Sequence, residues 1–261
     1  MYTDYFRFGW QLLNGFRANG ERRLFTEREQ DVASYLNLES QVRVLDLGNG
    51  YLRPQYSLLQ AAGYRVYGID IVNQPKWTWT KAAYLVARCF YRWKLGLSIR
   101  HSEKTLVCGN VGSLPFQNDS FDLVTSIAAF EHFLDVPAVL TELGRVIRPE
   151  GVLYIRIHPF TCPSGGHNVR VTEIPLRSLP RGVEPWDHLR KRRLPFDVPL
   201  NEWRRDQYFA EFQKHFEILK HYCAMREGEN LLTPQIESEL SNYSRDELTC
   251  GAYVIVARKP S

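Results

Sequence analysis

Between Val42 and Ile157, short and nearly continuous apolar runs alternate with segments whose apolar residues recur at helical spacing. The runs "VRVLDL", "YRVYGID", "KTLVC", "FDLVTSI" and "VLYIRI" are short and rich in aliphatic and aromatic residues, which predicts five strands. Between the first two, "RPQYSLLQAAG" puts Pro54 where a first helical turn tolerates it and Gly63 where a helix ends. After the fourth, Val136, Val139, Leu140, Leu143 and Ile147 mark one helical face, with Asp135 as its N-cap. Strands apolar on both faces that alternate with helices predict a parallel sheet covered on both sides, a doubly wound α/β fold.

The flanks read differently. Residues 1–41 predict N-terminal helices, with capping-box spacing in "TERE", Thr26 to Glu29, ahead of Val32, Tyr35 and Leu36. Between the second and third strands, "KWTWTKAAYLVARCFYRWKLGL" is longer than a crossover needs and rich in aromatics and cations. Residues 158–200 are rich in Pro and Gly and predict an irregular insertion over the substrate. Residues 201–261 return with a helix, "NEWRRDQYFAEFQKHF", and closing strands near "FEILKHYCA" and "GAYVIVARK". The expectation is one domain over 1–261, with 42–157 as its core.

Composition narrows the class without naming it. The chain is 44% hydrophobic with a formal net charge of +4, too mild an excess to call for nucleic acid. No apolar run approaches the roughly 20 residues of a membrane span, and "MYTDYFRFGW" lacks a signal peptide's apolar centre. The five cysteines are scattered without a C-x-x-C pair, which reads as buried thiols of a reducing, cytoplasmic compartment. No Cys/His spacing suggests a metal, and no G-x-S-x-G elbow suggests a hydrolase.

Ligands of open α/β sheets bind beyond the carboxyl ends of the strands. That rule nominates Asp46 to Gly50, Asp70, Asn110, Ser126 to His132, and His158. Gly48 and Gly50 let the backbone turn sharply, and Asp70 ends the second strand where a carboxylate would accept from ribose hydroxyls. Arg53 stands where a dinucleotide loop wants its last glycine. The glycines alone leave a cofactor loop, a degenerate loop and a plain tight turn equally open.

Five blocks in order, "VLDLGNG", "GID", "LPFQNDSFD", "EHFLD" and "RVIRPEG", resemble the class I S-adenosylmethionine-dependent methyltransferases that act on small molecules. The resemblance covers Val42 to Ile157 and is faint outside it. It implies a Rossmann-like, mostly parallel seven-stranded sheet with an antiparallel last strand and an N-terminal helical lid. It also implies S-adenosylmethionine as cofactor: Asp46, Gly48 and Gly50 around the amino-acid end, Asp70 on the ribose, Ile71 on the adenine. Asn110 and Val111 would read the adenine edge, and Ser126 and Ile127 would lie beneath the methionine portion. The sequence departs from the family pattern at Asn49, at Leu52 where a third glycine is frequent, at Asn110 in place of aspartate, and at Glu150 in the usual "PGG" turn.

Methyl transfer requires alignment of nucleophile, methyl and sulfur, and a hydroxyl or amine acceptor must also lose a proton. His132 is the candidate base, since imidazole titrates near neutrality; alternatively Glu131 and His132 cap the next helix or pack on the first loop. His158 and His167 are candidate acceptor contacts. The run "HLRKRRLP", His188 to Pro195, is either an anion grip or a solvated surface. The aromatic helix before the third strand is either a lid on the pocket or an interfacial segment at a membrane, the lid being favoured. The expected acceptor is a small molecule or glycan, methylated at oxygen. A non-catalytic binding protein on the same fold, and then an RNA methyltransferase, are the alternatives.

Overall fold

The computed structural model describes residues 15–38, 41–71, 78–98, 104–167, 179, 182–194, 196 and 198–260. In chain order these form α1 (Phe16–Ala33), β1 (Arg43–Leu47), α2 (Pro54–Ala61), β2 (Arg65–Asp70), α3 (Thr78–Lys94), β3 (Leu106–Cys108) and β4 (Phe121–Ile127). They continue as α4 (Val136–Val146), β5 (Ile147–Ile157), α5 (Asp187–Arg190), α6 (Arg205–Phe212), β6 (Glu217–Arg226), α7 (Pro234–Glu239), α8 (Arg245–Thr249) and β7 (Cys250–Arg258). The seven strands make one sheet in the order β3-β2-β1-β4-β5-β7-β6. The first five are parallel, and β7 runs antiparallel to both β5 and β6.

Strand alternation sorts the apolar residues into two cores, one per sheet face. Leu45, Leu47, Ile69, Val124, Leu153, Ile155 and Ile255 face α4 and α6, while Val44, Val66, Leu123, Val152, Tyr154, Val254 and Val256 face α1 and α2. Local signals fix the helix ends. Pro54 opens α2, and Gly63 closes it at φ 91°, its N–H on the Gln60 carbonyl and that of Tyr64 on Leu59. Asp135 caps α4 by accepting from Ala138 N–H at 3.0 Å.

Several expectations need correction. Thr26 opens no helix: it lies inside α1, where its hydroxyl donates to the Arg22 carbonyl four residues back, at 3.0 Å. The helix read from "NEWRRDQYFAEFQKHF" shrinks to Arg205–Phe212, because Asn201 is spent on tertiary hydrogen bonds described below. Strand β5 begins at Ile147, before the turn at Glu150, so Ile147 belongs to a strand and not to the α4 face. Cys108 is exposed rather than buried. Expectations for residues 1–14 and for most of 168–181 lie outside the described residues.

The segment after β5 is anchored by Trp186, which is fully buried among Leu232, Ile236, Leu240 and Leu248. Its indole N–H donates to the carbonyls of Thr161 at 3.1 Å and Leu248 at 3.2 Å. Trp186→Phe would leave both buried carbonyls short of a donor, so chemical denaturation should report a loss of about 1–3 kcal/mol. The basic run is no anion grip. Arg190 pairs with Glu239, Lys191 and Arg193 with Glu184, and Arg192 with Glu202. His188 turns inward and bonds the Phe160 carbonyl at 2.7 Å.

Candidate active site

The loop after β1 is shaped by what lies against it. Gly48 has φ 67° and donates its N–H to the Ile69 carbonyl at 2.9 Å. A Cβ there would stand 2.3 Å from the Cβ of Ala129, so the loop presses directly on the chain leaving β4. Gly50 has φ 62° with open space where a side chain would be, and its N–H donates to Asp70 Oδ2 at 2.8 Å. That bond ties the end of β2 to the loop.

The departures from the family pattern have local explanations. Asn49 lies over Gly68, where a Cβ would come within 2.4 Å of its amide. With the amide oriented to satisfy both ends, it donates to the Gly50 carbonyl and accepts from Ile69 N–H, each at 3.2 Å. Leu52 packs with Leu58, Tyr91 and Leu95, filling the frequent third-glycine position with a contact to α2 and α3. Arg53, buried at the start of α2, adopts φ 53°, the left-handed conformation for which glycine is usually chosen. Tyr51 stacks on Tyr84 of α3 with ring centroids 4.6 Å apart, which brings the aromatic helix to this loop.

The nominated cofactor residues fall along one rim. Asp46 pairs in register with Gly68 and Thr125, Leu47 with Ile69 and Ser126, and Asp70 with Cys108. Asp46 is 3% exposed, and its Oδ2 has no hydrogen-bond partner among the described residues. Burial pushes its carboxyl up to about 7, partly offset by the Arg28 guanidinium. Ile71 is 73% exposed, an apolar side chain presented at the crevice edge. Asn110 Oδ1 accepts from Gly112 N–H at 2.9 Å, while Val111 is buried. Ser126 donates weakly to the Leu47 carbonyl at 3.4 Å, and Ile127 is half-buried beside it.

Beyond Ala129 the chain makes a 3-10 turn over Phe130–His132. Asn201 pins that turn: its Nδ2 donates to the carbonyls of Phe130 and Phe133, each at 3.0 Å, and its N–H to that of Glu131 at 2.9 Å. Glu131 does not cap α4, which uses Asp135. Its side chain is 2% exposed, and neither carboxylate oxygen makes a hydrogen bond among the described residues. Burial pushes it up to about 8, with the backbone N–H groups of Glu131 and His158 pulling back.

Three predicted histidines meet here. The His167 ring lies 4.8 Å from that of His132 and 4.6 Å from that of His158. His132 Nδ1 bonds the Pro199 carbonyl at 2.9 Å. His158 Nε2 bonds Ser164 Oγ at 2.7 Å, and Ser164 donates both its hydroxyl and its N–H to Glu227. Burial, followed by the other histidines of the group, holds His158 down at about 4 and His167 at about 3. Ser164, Asn201 and Glu227 went unnoticed in the sequence, because their partners are far away along the chain.

The loop therefore offers a fit for an adenosyl cofactor with an amino-acid end: a side-chain-free turn, an orphaned buried carboxylate oxygen, and an acidic residue at the β2 end. Residues 45–155 match the family described as "Methyltransferase domain". Residues 45–155 carry a methyltransferase domain. The chain is 30% identical over 155 residues to the sterol 24-C-methyltransferase ERG6B of Gibberella zeae, covering 58% of this chain and 37% of that enzyme. The chain spans about two fifths of the length of the curated relatives it matches. A SAM-dependent methyltransferase of Methanosarcina mazei superposes on this methyltransferase domain and its flanks with a TM-score of 0.52 at 19% identity, covering 88% of this chain and 96% of the other. The [4+2]-cyclase SpnF also superposes, with a TM-score of 0.50 at 18% identity and coverage of 91% and 80%. The methyltransferase fold by itself therefore does not dictate the reaction, and the side chains at the crevice must decide it.

Proposed function

We propose that this protein transfers a methyl group from S-adenosylmethionine to an oxygen of a small hydroxylated molecule. When bound, the cofactor supplies an activated methyl on a sulfonium leaving group. In this reading Asp46 and the Gly48–Gly50 turn receive its amino-acid end and Asp70 its ribose hydroxyls. Ile71 lies on the adenine and Asn110 and Val111 take its edge. The Ser126–Ile127 backbone supports the methionine portion.

The observation that carries the oxygen assignment is the Glu131–His132–His158–His167 group. The turn that carries Glu131 and His132 follows Ala129, the residue pressed against the loop after β1. A carbon acceptor needs an apolar wall that stabilises the cation formed before its proton leaves, whereas an acceptor hydroxyl needs polar groups that hydrogen-bond the O–H and take its proton. His132 retains a second ring nitrogen after its Nδ1 bond to Pro199, and His158 and His167 are held uncharged as hydrogen-bonding partners. The relatives named as C-methyltransferases make the contrast testable. Incubation with 13C-methyl-labelled cofactor and a panel of hydroxylated, amine and alkene acceptors should give methoxy carbon resonances. Products bearing only new carbon-bound methyls would overturn the oxygen assignment.

Asp70→Ala removes both the ribose acceptor and the Gly50 tether. Calorimetric titration should show S-adenosylmethionine affinity lowered by at least ~10-fold, as expected for loss of about 1–3 kcal/mol from a charged acceptor. Unchanged affinity would mean that β2 does not border the ribose.

A further inference from the structure

We propose that Glu131, His132 and His167 bind a divalent transition-metal ion beside the cofactor loop. Each contributes one ligand atom, and the three atoms lie within 4.8 Å of one another. Glu131 is the strongest sign. Its carboxylate is 2% exposed, and neither oxygen makes a hydrogen bond among the described residues, so the backbone N–H groups of Glu131 and His158 offset its burial only in part. His167 Nε2 is likewise buried without a hydrogen bond among the described residues and stands 3.9 Å from Glu131 Oε1.

His132 is oriented as a metal ligand is. With the proton on Nδ1, shared with the Pro199 carbonyl at 2.9 Å, its Nε2 keeps a lone pair, and the backbone carbonyl fixes ring and tautomer. The turn bearing Glu131 and His132 is held by Asn201, and the His167 N–H is held by the Ser164 carbonyl at 3.0 Å. Ligands about 2.0–2.2 Å from a shared ion lie roughly 3–3.5 Å apart, so closure from 3.9 Å for His167 and Glu131, and from within 4.8 Å for the whole set, needs side-chain movement of about an ångström.

Two imidazoles and one carboxylate suit zinc, iron(II), manganese or cobalt better than magnesium or calcium, which favour all-oxygen sites. The neighbouring His158, Cys162 and Glu227 also come together, but Ser164 sits between His158 and Glu227 and already satisfies both. That group is a closed hydrogen-bond network bordering the metal site.

Three protein ligands leave at least one coordination position for an acceptor oxygen, whose hydroxyl would become more acidic there. This use of the ion rests on the oxygen-acceptor reading; the site itself does not. With the ion bound, His132 Nε2 is a ligand and no longer a base, so in transfer the acidified acceptor O–H proton leaves to solvent. The new O–C bond forms as the C–S bond breaks, with that electron pair returning to sulfur.

The full chain, stripped with chelator, is titrated with Co2+ and followed by visible absorption, then loaded with Zn2+, desalted and analysed for metal. One ion per chain is expected. Glu131→Gln and His167→Ala should each lower affinity at least ~100-fold, while Cys162→Ser and Asp70→Ala should leave it unchanged. Should a variant fail to fold, long-range 1H–15N spectra of the wild-type histidines on Zn2+ addition answer instead, with shifts expected at Nε2 of His132 and His167. No ion retained by the wild type, or affinity untouched in folded Glu131 and His167 variants, overturns the site. Metal binding without S-adenosylmethionine binding would leave the site standing and remove the methyltransferase reading.

Discussion

Glu131→Gln should raise the melting temperature of the chelator-treated protein at pH 9 and leave it nearly unchanged at pH 5. The carboxyl is pushed from 4.5 up to about 8 by burial. A group whose folded value lies above its unfolded value binds more protons in the native state between the two. Its contribution is therefore complete below pH ~4.5 and is lost as pH rises toward 8. At about 1.4 kcal/mol for each tenfold change in proton affinity, the full displacement amounts to roughly 5 kcal/mol, an upper bound for the gain on substitution. Gln keeps the shape and cannot ionise. Half of that bound would raise the melting temperature by about 5–10 °C in a chain of this size. A gain that does not vary with pH would show that the carboxylate finds a partner in solution. The buried histidines act in the opposite sense: held near 3–4, they add stability that is lost as pH falls from about 6.5 toward 4.

Gly48→Ala should reduce S-adenosylmethionine binding by at least ~100-fold, or about 2.7 kcal/mol. The new methyl would stand 2.3 Å from Ala129 Cβ at a backbone φ of 67°. Both objections act together. The left-handed conformation costs an L-residue about 1–2 kcal/mol, and the steric contact can be relieved only by moving the loop or the chain beyond β4. Either movement separates the cofactor loop from the turn carrying Glu131 and His132. Gly50→Ala supplies the internal comparison. It shares the positive φ but meets nothing within 4 Å, so it carries only the conformational cost. Equal losses of affinity in the two variants would contradict the close packing of the loop against Ala129.

The sheet was legible in the sequence because parallel strands buried on both faces must be nearly continuous in apolar residues. All seven predicted strands formed, six within two residues of their expected bounds and β5 starting five residues earlier, at Ile147. Local chemistry was legible too: Pro54, Gly63 and Asp135 act within a few residues of themselves. The capping-box reading at Thr26 failed because a hydroxyl can satisfy itself inside a helix by back-bonding. The basic run left two readings open for a different reason. Its partners Glu184, Glu202 and Glu239 neutralise it only once the chain has folded.

The rim residues could be nominated from the strand-end rule and the family resemblance. The meeting of His132, His158 and His167 could not, nor the approach of His167 to Glu131, since both depend on how the segment after β5 folds back. Asn201 is the plainest case. Nothing in "PLNEWRR" marks it, yet its side chain reaches back to the carbonyls of Phe130 and Phe133. Leu52 and Asn49 change meaning in the same way. One reads as a missing glycine and packs against helices; the other reads as a departure and bridges Gly50 to Ile69.

The central claim is that the crevice beyond β1, β2 and β4 receives S-adenosylmethionine. Calorimetric titration of the wild-type protein with S-adenosylmethionine and S-adenosylhomocysteine tests it most directly. Saturable binding of both at one site per chain is expected, weakened in Asp70→Ala and nearly lost in Gly48→Ala. A well-folded wild-type protein that binds neither would contradict it.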